Sequence, residues 1–236
     1  AVKHRYLPTA ADQQGVRAQI AHYFSTHPMG PRRVEEEPYQ WWKANDPSRL
    51  HAVVADPAMF STLWTGARLS LLEYWQFLGG SFNPVETYNA AAERFLEHHP
   101  PGNGVGLLRQ IAEFLNDMGA HQDAEAMARR SVSLARGLQH PELAESLIVL
   151  GEILLRNNQF AEAEEVAREA LQDPPKSHKH LVLLSNIFLD SGAFDKAEQL
   201  LRSALENVGL QSNPQHLELY GNLGLLFHYR GRFQEA

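Results

Sequence analysis

The stretch LAESLIVLGEILLRNNQFAEAEEVAREALQDPP, Leu143 to Pro175, carries two helical periods joined by a short turn. Leu147, Leu150 and Leu154 recur at helical spacing, and Phe160, Ala163, Val166, Ala167 and Ala170 repeat the pattern on a second helix. Gly151 falls where two helices must approach closely, and Asn157-Asn158 supply the tight turn between them. Asp173-Pro174-Pro175 stop the second helix, because proline cannot continue it. Small alanines let the two helices of a hairpin pack closely, and the aromatic that opens the second helix fills the gap to the next hairpin. Outward from this stretch the frame ending at Ala163 recurs. HQDA, FAEA, FDKA and FQEA end at Ala124, Ala163, Ala197 and Ala236, spaced by 39, 34 and 39 residues. Self-similarity at that period predicts stacked helical hairpins, an all-α solenoid.

Three further copies follow the same register. One has Leu181, Leu184, Phe188, Phe194, Ala197, Leu201 and Ala204, with Ser185 at the glycine position. A later one begins with Tyr220, Leu223, Gly224, Phe227, Phe233 and Ala236, and an earlier one has Leu108, Ile111, Leu115, Ala124 and Ala128, with Ala112 and His121 at the glycine and aromatic positions. Longer turns near Gln139-His140-Pro141 and Gly209 to Pro214 absorb the extra residues of the longer periods. At these positions the sequence resembles the tetratricopeptide repeat (TPR), with copies at about 105–138, 144–177, 178–211 and 217–236. The resemblance implies a right-handed superhelical protein-recognition solenoid over 101–236, without catalysis of its own. The last copy stops as its second helix should start, so Leu223, Phe227 and Phe233 are expected to be exposed, and the chain reads as a segment of a longer protein.

Before residue 101 the period is lost but helical patterning continues. Gln13 to Thr26 is amphipathic through Val16, Ile20, Ala21 and Phe24, and Pro38 to Ala44, Pro47 to Val54 and Pro57 to Trp64 each open with proline in a first helical turn. Ala67 to Leu78, carrying Leu69, Leu72, Trp75 and Leu78, ends at Gly79-Gly80, and Pro84 to His98 forms another helix. Pro28 to Pro38 reads as a loop, and Pro101 to Gly106 as a flexible entry to the next helix. All four tryptophans, Trp41, Trp42, Trp64 and Trp75, lie here, which predicts a compact, irregular helical unit over 1–100 that caps the solenoid. Tyr23-Phe24, Glu37-Pro38-Tyr39 with Trp41-Trp42, and Leu50 to Phe60 resemble the junction after the nucleotide-binding module in NACHT-type NTPases, where a winged-helix end runs into repeats. With TPR copies behind it, this portion is similar to the nephrocystin-3-like family of NACHT–TPR proteins. That resemblance implies a ciliary scaffold, or a regulatory arm that holds an upstream NTPase module inactive. No Walker lysine follows a glycine loop in this chain.

Composition narrows the function classes. A net charge of −7 disfavours non-specific nucleic-acid binding, which needs clustered Lys and Arg to neutralise phosphates. With no cysteine there is no thiolate chemistry, no disulfide and no Cys-ligated zinc, and a reducing cytoplasmic setting is expected. His98-His99 and His178 with His180 point to different helix faces rather than one zinc site, so neither metal nor cofactor is expected and the histidines are read as solvent-facing. Glu162/Glu165 and Glu164/Arg168 read as a solvated helix face, its i,i+4 pairs worth about 0.3 kcal/mol each.

The candidate site is the inner face of the first helices. In the repeat register this face takes Glu145, Ile148, Glu152 and Leu155, then Lys179, Val182, Asn186 and Leu189, then Glu218, Gly221, Leu225 and His228. Asn186, with Asn222 beside it, is expected to hold a partner's peptide group by paired hydrogen bonds. The Lys/Asn carboxylate clamp of chaperone-binding TPR domains is not present as a set. Glu145, Glu152 and Glu218 make the groove acidic, which favours a protein or peptide partner of basic or mixed character.

Overall fold

The computed structural model describes residues 9–171, 178–208 and 217–232, all of whose regular elements are α-helices. Asp173-Pro174-Pro175, Gly209 to Pro214, Phe233 and Ala236, for which the sequence sets expectations, lie outside these residues. Among the described residues thirteen helices follow in order: α1 (Ala10–Ser25), α2 (Pro31–Lys43), α3 (Pro47–Val54), α4 (Pro57–Gly66), α5 (Arg68–Leu78), α6 (Pro84–His98), α7 (Pro101–Asp117), α8 (His121–Leu138), α9 (Leu143–Arg156), α10 (Phe160–Ala170), α11 (His178–Asp190), α12 (Phe194–Val208) and α13 (Leu217–Tyr229). The chain divides into two compact units, residues 1–120 and 121–236. Helix α7, read from sequence as the first helix of the first repeat, falls in the first unit.

Five helices of the first unit, α2, α3, α4, α6 and α7, open with proline at a first-turn position. The missing N–H costs nothing there, because the first helical N–H groups have no intrahelical acceptor anyway. Side chains cap the remainder: Asp46 accepts from Arg49 N at 3.0 Å, Asp56 from Met59 N at 2.9 Å and Asn83 from Val85 N at 2.9 Å. Repeated acid-proline and amide-proline steps therefore punctuate the unit, and the tryptophans fill it. Trp75 Nε1 donates to the Tyr88 hydroxyl at 2.9 Å, and that hydroxyl donates to the Val54 carbonyl at 3.1 Å. Phe60, Trp64, Trp75 and Tyr88 all pack against Phe114, with ring centroids 5.1–6.1 Å apart. Burial drives the Tyr88 phenol well above its usual pKa, so it remains a donor.

Three expectations are corrected here. Pro28 to Pro38 is not a loop, since α2 begins at Pro31 and buries Pro38 in its interior. The helix survives a proline that gives no N–H to the preceding turn because Val34, Glu37, Pro38 and Trp41 bury one face of it. The pairs Arg33–Glu37 at 2.7 Å and Gln40–Glu36 at 2.8 Å stitch successive turns. The glycine-rich Pro101 to Gly106 is likewise helical, because Val105, Leu108, Ile111, Ala112 and Leu115 bury a continuous stripe along α7. On α5, Leu69 is 78% exposed, and Leu71, Tyr74, Trp75 and Leu78 form the buried face instead.

Tyr88→Phe is expected to lower stability by about 1–3 kcal/mol, since Trp75 Nε1 then loses its acceptor in a buried site. A thermal melt within a degree of the parent chain would contradict that role for the hydroxyl.

Candidate protein-binding face

In the second unit, first helices α9, α11 and α13 alternate with second helices α8, α10 and α12. Each of α9, α11 and α13 packs on the second helix before it, α9–α10 and α11–α12 form hairpins, and α11 also packs on both α9 and α13. The turn after each first helix contains one residue in the left-handed region: Asn158 at φ 59°, Gly192 at φ 72° and Gly231 at φ 68°. The chain closes there by the same backbone bond each time, Gln159 N to Leu154 O, Ala193 N to Phe188 O and Arg232 N to Phe227 O, all at 2.8–2.9 Å. That is a helix end whose positive φ suits glycine or asparagine, as the sequence supplies. Ala163, Ala167, Ala170 and Ala197 are fully buried where the helices meet.

The glycine position sets how neighbouring first helices meet. A Cβ on Gly151 would lie 2.8 Å from Leu183 Cδ2, so α11 can approach α9 this closely only because that position is bare. The next repeat has Ser185 there, fully buried, and Asn222 occupies the place on α13 that Leu183 holds on α11. Asn222 Nδ2 donates to Ser185 Oγ at 2.7 Å and to Asn186 Oδ1 at 2.6 Å, and Ser185 Oγ donates to the Val182 carbonyl at 2.8 Å. An apolar contact in one repeat is thus replaced by a polar one in the next.

The residues singled out from sequence divide accordingly. Asn186 and Asn222 are brought together, both half-buried, so Asn186 is engaged by the neighbouring repeat rather than facing solvent alone. Glu152, Lys179, Glu218 and His228 are exposed, and Glu145 is half-buried. Ile148 and Leu189 are buried in the core, although the register had placed them on the groove. The last helix is also better covered than expected. Phe227 is buried, with the Arg232 guanidinium 4.9 Å from its ring, and Leu223 is half-buried. Leu217, Tyr220, Leu225 and Tyr229 are the exposed apolar residues of α13. His180, read as solvent-facing, is buried on α11.

Sequence reasoning missed a ladder of carboxylates between hairpins. The residue after each repeat alanine is glutamate: Glu125, Glu164 and Glu198. Glu125 accepts from Arg129 at 2.8 Å on its own helix and from Asn157 at 2.7 Å and Gln159 at 2.9 Å in the next turn. Glu198 accepts from Arg202 at 2.8 Å, and from Arg230 at 2.7 Å and Arg232 at 3.1 Å in the turn after α13. The turn facing Glu164 offers Ser191 and Ala193 at the matching positions, and Glu164 instead pairs with Arg168 at 2.8 Å and Lys196 at 3.3 Å. Arg129 also grips Glu162, and Arg136 grips Glu169, from α8 to α10. Glu162 and Glu164 therefore reach neighbouring hairpins and are not merely a solvated helix face. The Ala-Glu step in three successive frames was the signal available.

Hydrogen bonds outweigh burial at these groups. Burial pushes the Glu125 carboxyl up, but the bonds from Arg129, Asn157 and Gln159 bring it below the usual carboxylate range. The Arg129 bond lowers Glu162, the Arg168 and Lys196 bonds lower Glu164, and Arg129 itself is raised by its bonds to Glu162 and Glu125.

Family models described as tetratricopeptide repeat match residues 106–173, 148–209 and 182–236, more than half of the chain. The chain belongs to the tetratricopeptide-repeat family. It is 24% identical to nephrocystin-3 of Mus musculus over 181 residues, 72% of this chain and 14% of that protein. It is 34% identical to the mitochondrial tetratricopeptide repeat protein 19 of Rattus norvegicus over 76 residues, 32% of this chain and 20% of that protein. The chain thus spans a seventh to a fifth of the length of these relatives. Among solved structures, the TPR-like repeats of a Podosopora anserina kinesin light chain superpose with a TM-score of 0.60 at 18% identity, covering 80% of this chain and 90% of that one. A MamA RS-1 variant superposes with a TM-score of 0.51 at 15% identity, covering 80% of this chain and 88% of that one. These likenesses carry the TPR fold. No helix among the described residues is long and apolar enough to cross a membrane.

A depressed folded pKa makes each of these carboxylates stabilising above its unfolded value of about 4.5, and that stability is lost as pH falls through the lower folded value. Thermal stability is therefore expected to fall on acidification below about pH 4.5, and Glu125→Gln with Glu162→Gln to flatten that fall. A double variant whose melting temperature drops with acid as steeply as the parent's would contradict the ladder's role.

Proposed function

We propose that this chain is a protein–protein interaction scaffold, the usual and typically non-catalytic role of stacked TPR helices. We propose that the face built by α9, α11 and α13 receives an extended segment of a basic or mixed-charge partner, with Asn186 as the central contact. The arrangement of its carboxamide carries this reading. Oδ1 is held by Asn222, while no described residue takes the Nδ2 hydrogens, so the group is oriented with its donor side available. Glu145, Glu152 and Glu218 supply the acidic surroundings against Lys179 and His228, and exposed Leu225 and Gly221 give an apolar strip between them.

Asn186→Ala and Asn186→Asp are both expected to weaken binding by about 1–3 kcal/mol, because a partner carbonyl loses its donor. The aspartate variant keeps an acceptor for Asn222, which separates loss of binding from loss of stacking. Glu152→Lys is expected to slow association and reduce its salt dependence, as for an acidic steering surface. The exposed Glu165 on α10 serves as control through Glu165→Lys, since Glu164 is tied to Lys196. A partner recovered by pull-down is assayed at two salt concentrations, and equal affinities across the variants would contradict the reading.

A second reading has its own support. The repeats make up just over half of the chain, so the 72% matched by nephrocystin-3 extends into residues before 106. We infer a nephrocystin-3-like arrangement in which this chain is the cytoplasmic, ciliary scaffold arm of a NACHT-type protein, docking on its own NTPase module until a ligand competes. The flanking reading frame tests this. A glycine loop ending in Gly-Lys-Ser or Gly-Lys-Thr on the N-terminal side is expected, and a frame without one overturns it.

A further inference from the structure

Between α2, α4 and α5 of the first unit lies a cavity of about 920 Å³. That is ample for a drug-sized ligand or several peptide side chains. Its apolar walls come from Met29, Val34, Leu63 and Ala67, and its principal polar groups are the carboxylates of Glu35 and Glu36 and the phenols of Tyr39 and Tyr74. Among the described residues no lysine, arginine or histidine lines it. The neighbouring cations already have partners: Arg33 pairs with Glu37 at 2.7 Å, Arg17 donates to the wall residue Gln40 at 2.8 Å, and Lys43 sits 3.3 Å over the Trp42 ring. Arg17 and Lys43 also flank the Tyr39 ring at 5.6 and 5.5 Å, without lining the cavity.

Two groups of the cavity wall are open to a ligand. Glu35 is exposed and makes no hydrogen bond or ion pair with any described residue, whereas Glu36 is held by Gln40. Tyr74 is only 4% exposed, yet its hydroxyl has no hydrogen-bond partner among the described residues. Burial, with Glu73, Tyr39 and Glu35 nearby, pushes its pKa up to about 12, so the hydroxyl stays a donor at neutral pH. We propose that this cavity docks a basic, apolar peptide segment of a partner protein. An arginine or lysine reaches Glu35 and Glu36, a peptide carbonyl accepts from Tyr74, and flanking aliphatic side chains cover Val34 and Leu63. The charge on the walls selects a cation, and the apolar area selects a peptide over a small polar one. This site is separate from the face of α9, α11 and α13, and the proposal does not rest on it.

The test titrates the full chain, labelled with nitrogen-15, with a blocked twelve-residue peptide carrying leucines at helical spacing and two arginines. Saturable amide shifts are expected at Glu35, Gly66 and Tyr74. A twin peptide with glutamine for arginine is expected to bind at least about tenfold more weakly. Glu35→Gln is expected to weaken the arginine peptide about fivefold and Tyr74→Phe about threefold, while Glu97→Gln on α6 leaves it unchanged. The proposal is overturned if the glutamine twin binds equally well, if shifts fall on α9, α11 and α13 instead, if no shifts appear at millimolar peptide, or if arginine amide alone binds as tightly as the peptide.

Discussion

Neighbouring first helices of the second unit can stack only where one of them presents almost nothing to the other. Gly151 meets this constraint by having no side chain, and Leu183 uses the space. Ser185 meets it differently, offering a small hydroxyl that is itself satisfied by the Val182 carbonyl and then accepts from Asn222. The first contact gains from burial and tolerates small shifts in register. The second demands hydrogen-bond geometry and therefore fixes α13 against α11 more specifically. The glutamate ladder follows from the same stacking of hairpins. Each first helix packs on the second helix before it, which brings Asn157 and Gln159 to Glu125, and Arg230 and Arg232 to Glu198.

The fold was legible because its cues are local. Leucine spacing, buried alanines and a glycine or asparagine in each turn are all short-range requirements, and Asn158, Gly192 and Gly231 adopt the backbone those residue types favour. Proline-led starts in the first unit were legible for the same reason, and Pro47 to Val54 and Pro84 to His98 agree residue for residue. What could not be read was tertiary override. Pro38 and Gly104 both argue locally against helix, yet both are buried inside one, because the apolar face around them gains more than the local preference loses. The groove was legible as a register and not as an environment. Spacing placed Ile148 and Asn186 on the same stripe, and only packing distinguishes a core isoleucine from a half-buried amide.

Tryptophan marks the difference between the two units. The repeats carry Leu147, Leu181 and Tyr220 at the position where the tetratricopeptide pattern takes tryptophan, whereas all four indoles lie on the irregular helices of the first unit. An indole N–H must also be satisfied when buried. Trp75 finds Tyr88, and Trp64 finds Glu113 at 2.9 Å. Trp41 and Trp42, on the proline-bearing α2, instead lie under cations, Arg49 at 5.8 Å and Lys43 at 3.3 Å. The Tyr88 hydroxyl spends both of its capacities, accepting from an indole and donating to the Val54 carbonyl. Three helices, α3, α5 and α6, are therefore pinned at one oxygen.

Asn186 joins the packing argument to the binding one. A carboxamide on an exposed helix face ordinarily rotates, and a partner must then restrict that freedom on binding. Here Asn222 donates to its oxygen, and turning the amide over would set one NH₂ against another. Stacking between α11 and α13 thus orients the group before any partner arrives. On the proposed reading, a ligand at Asn186 senses the junction of two repeats rather than a single side chain. Loosening the Ser185–Asn222 contact would then weaken recognition without touching the ligand.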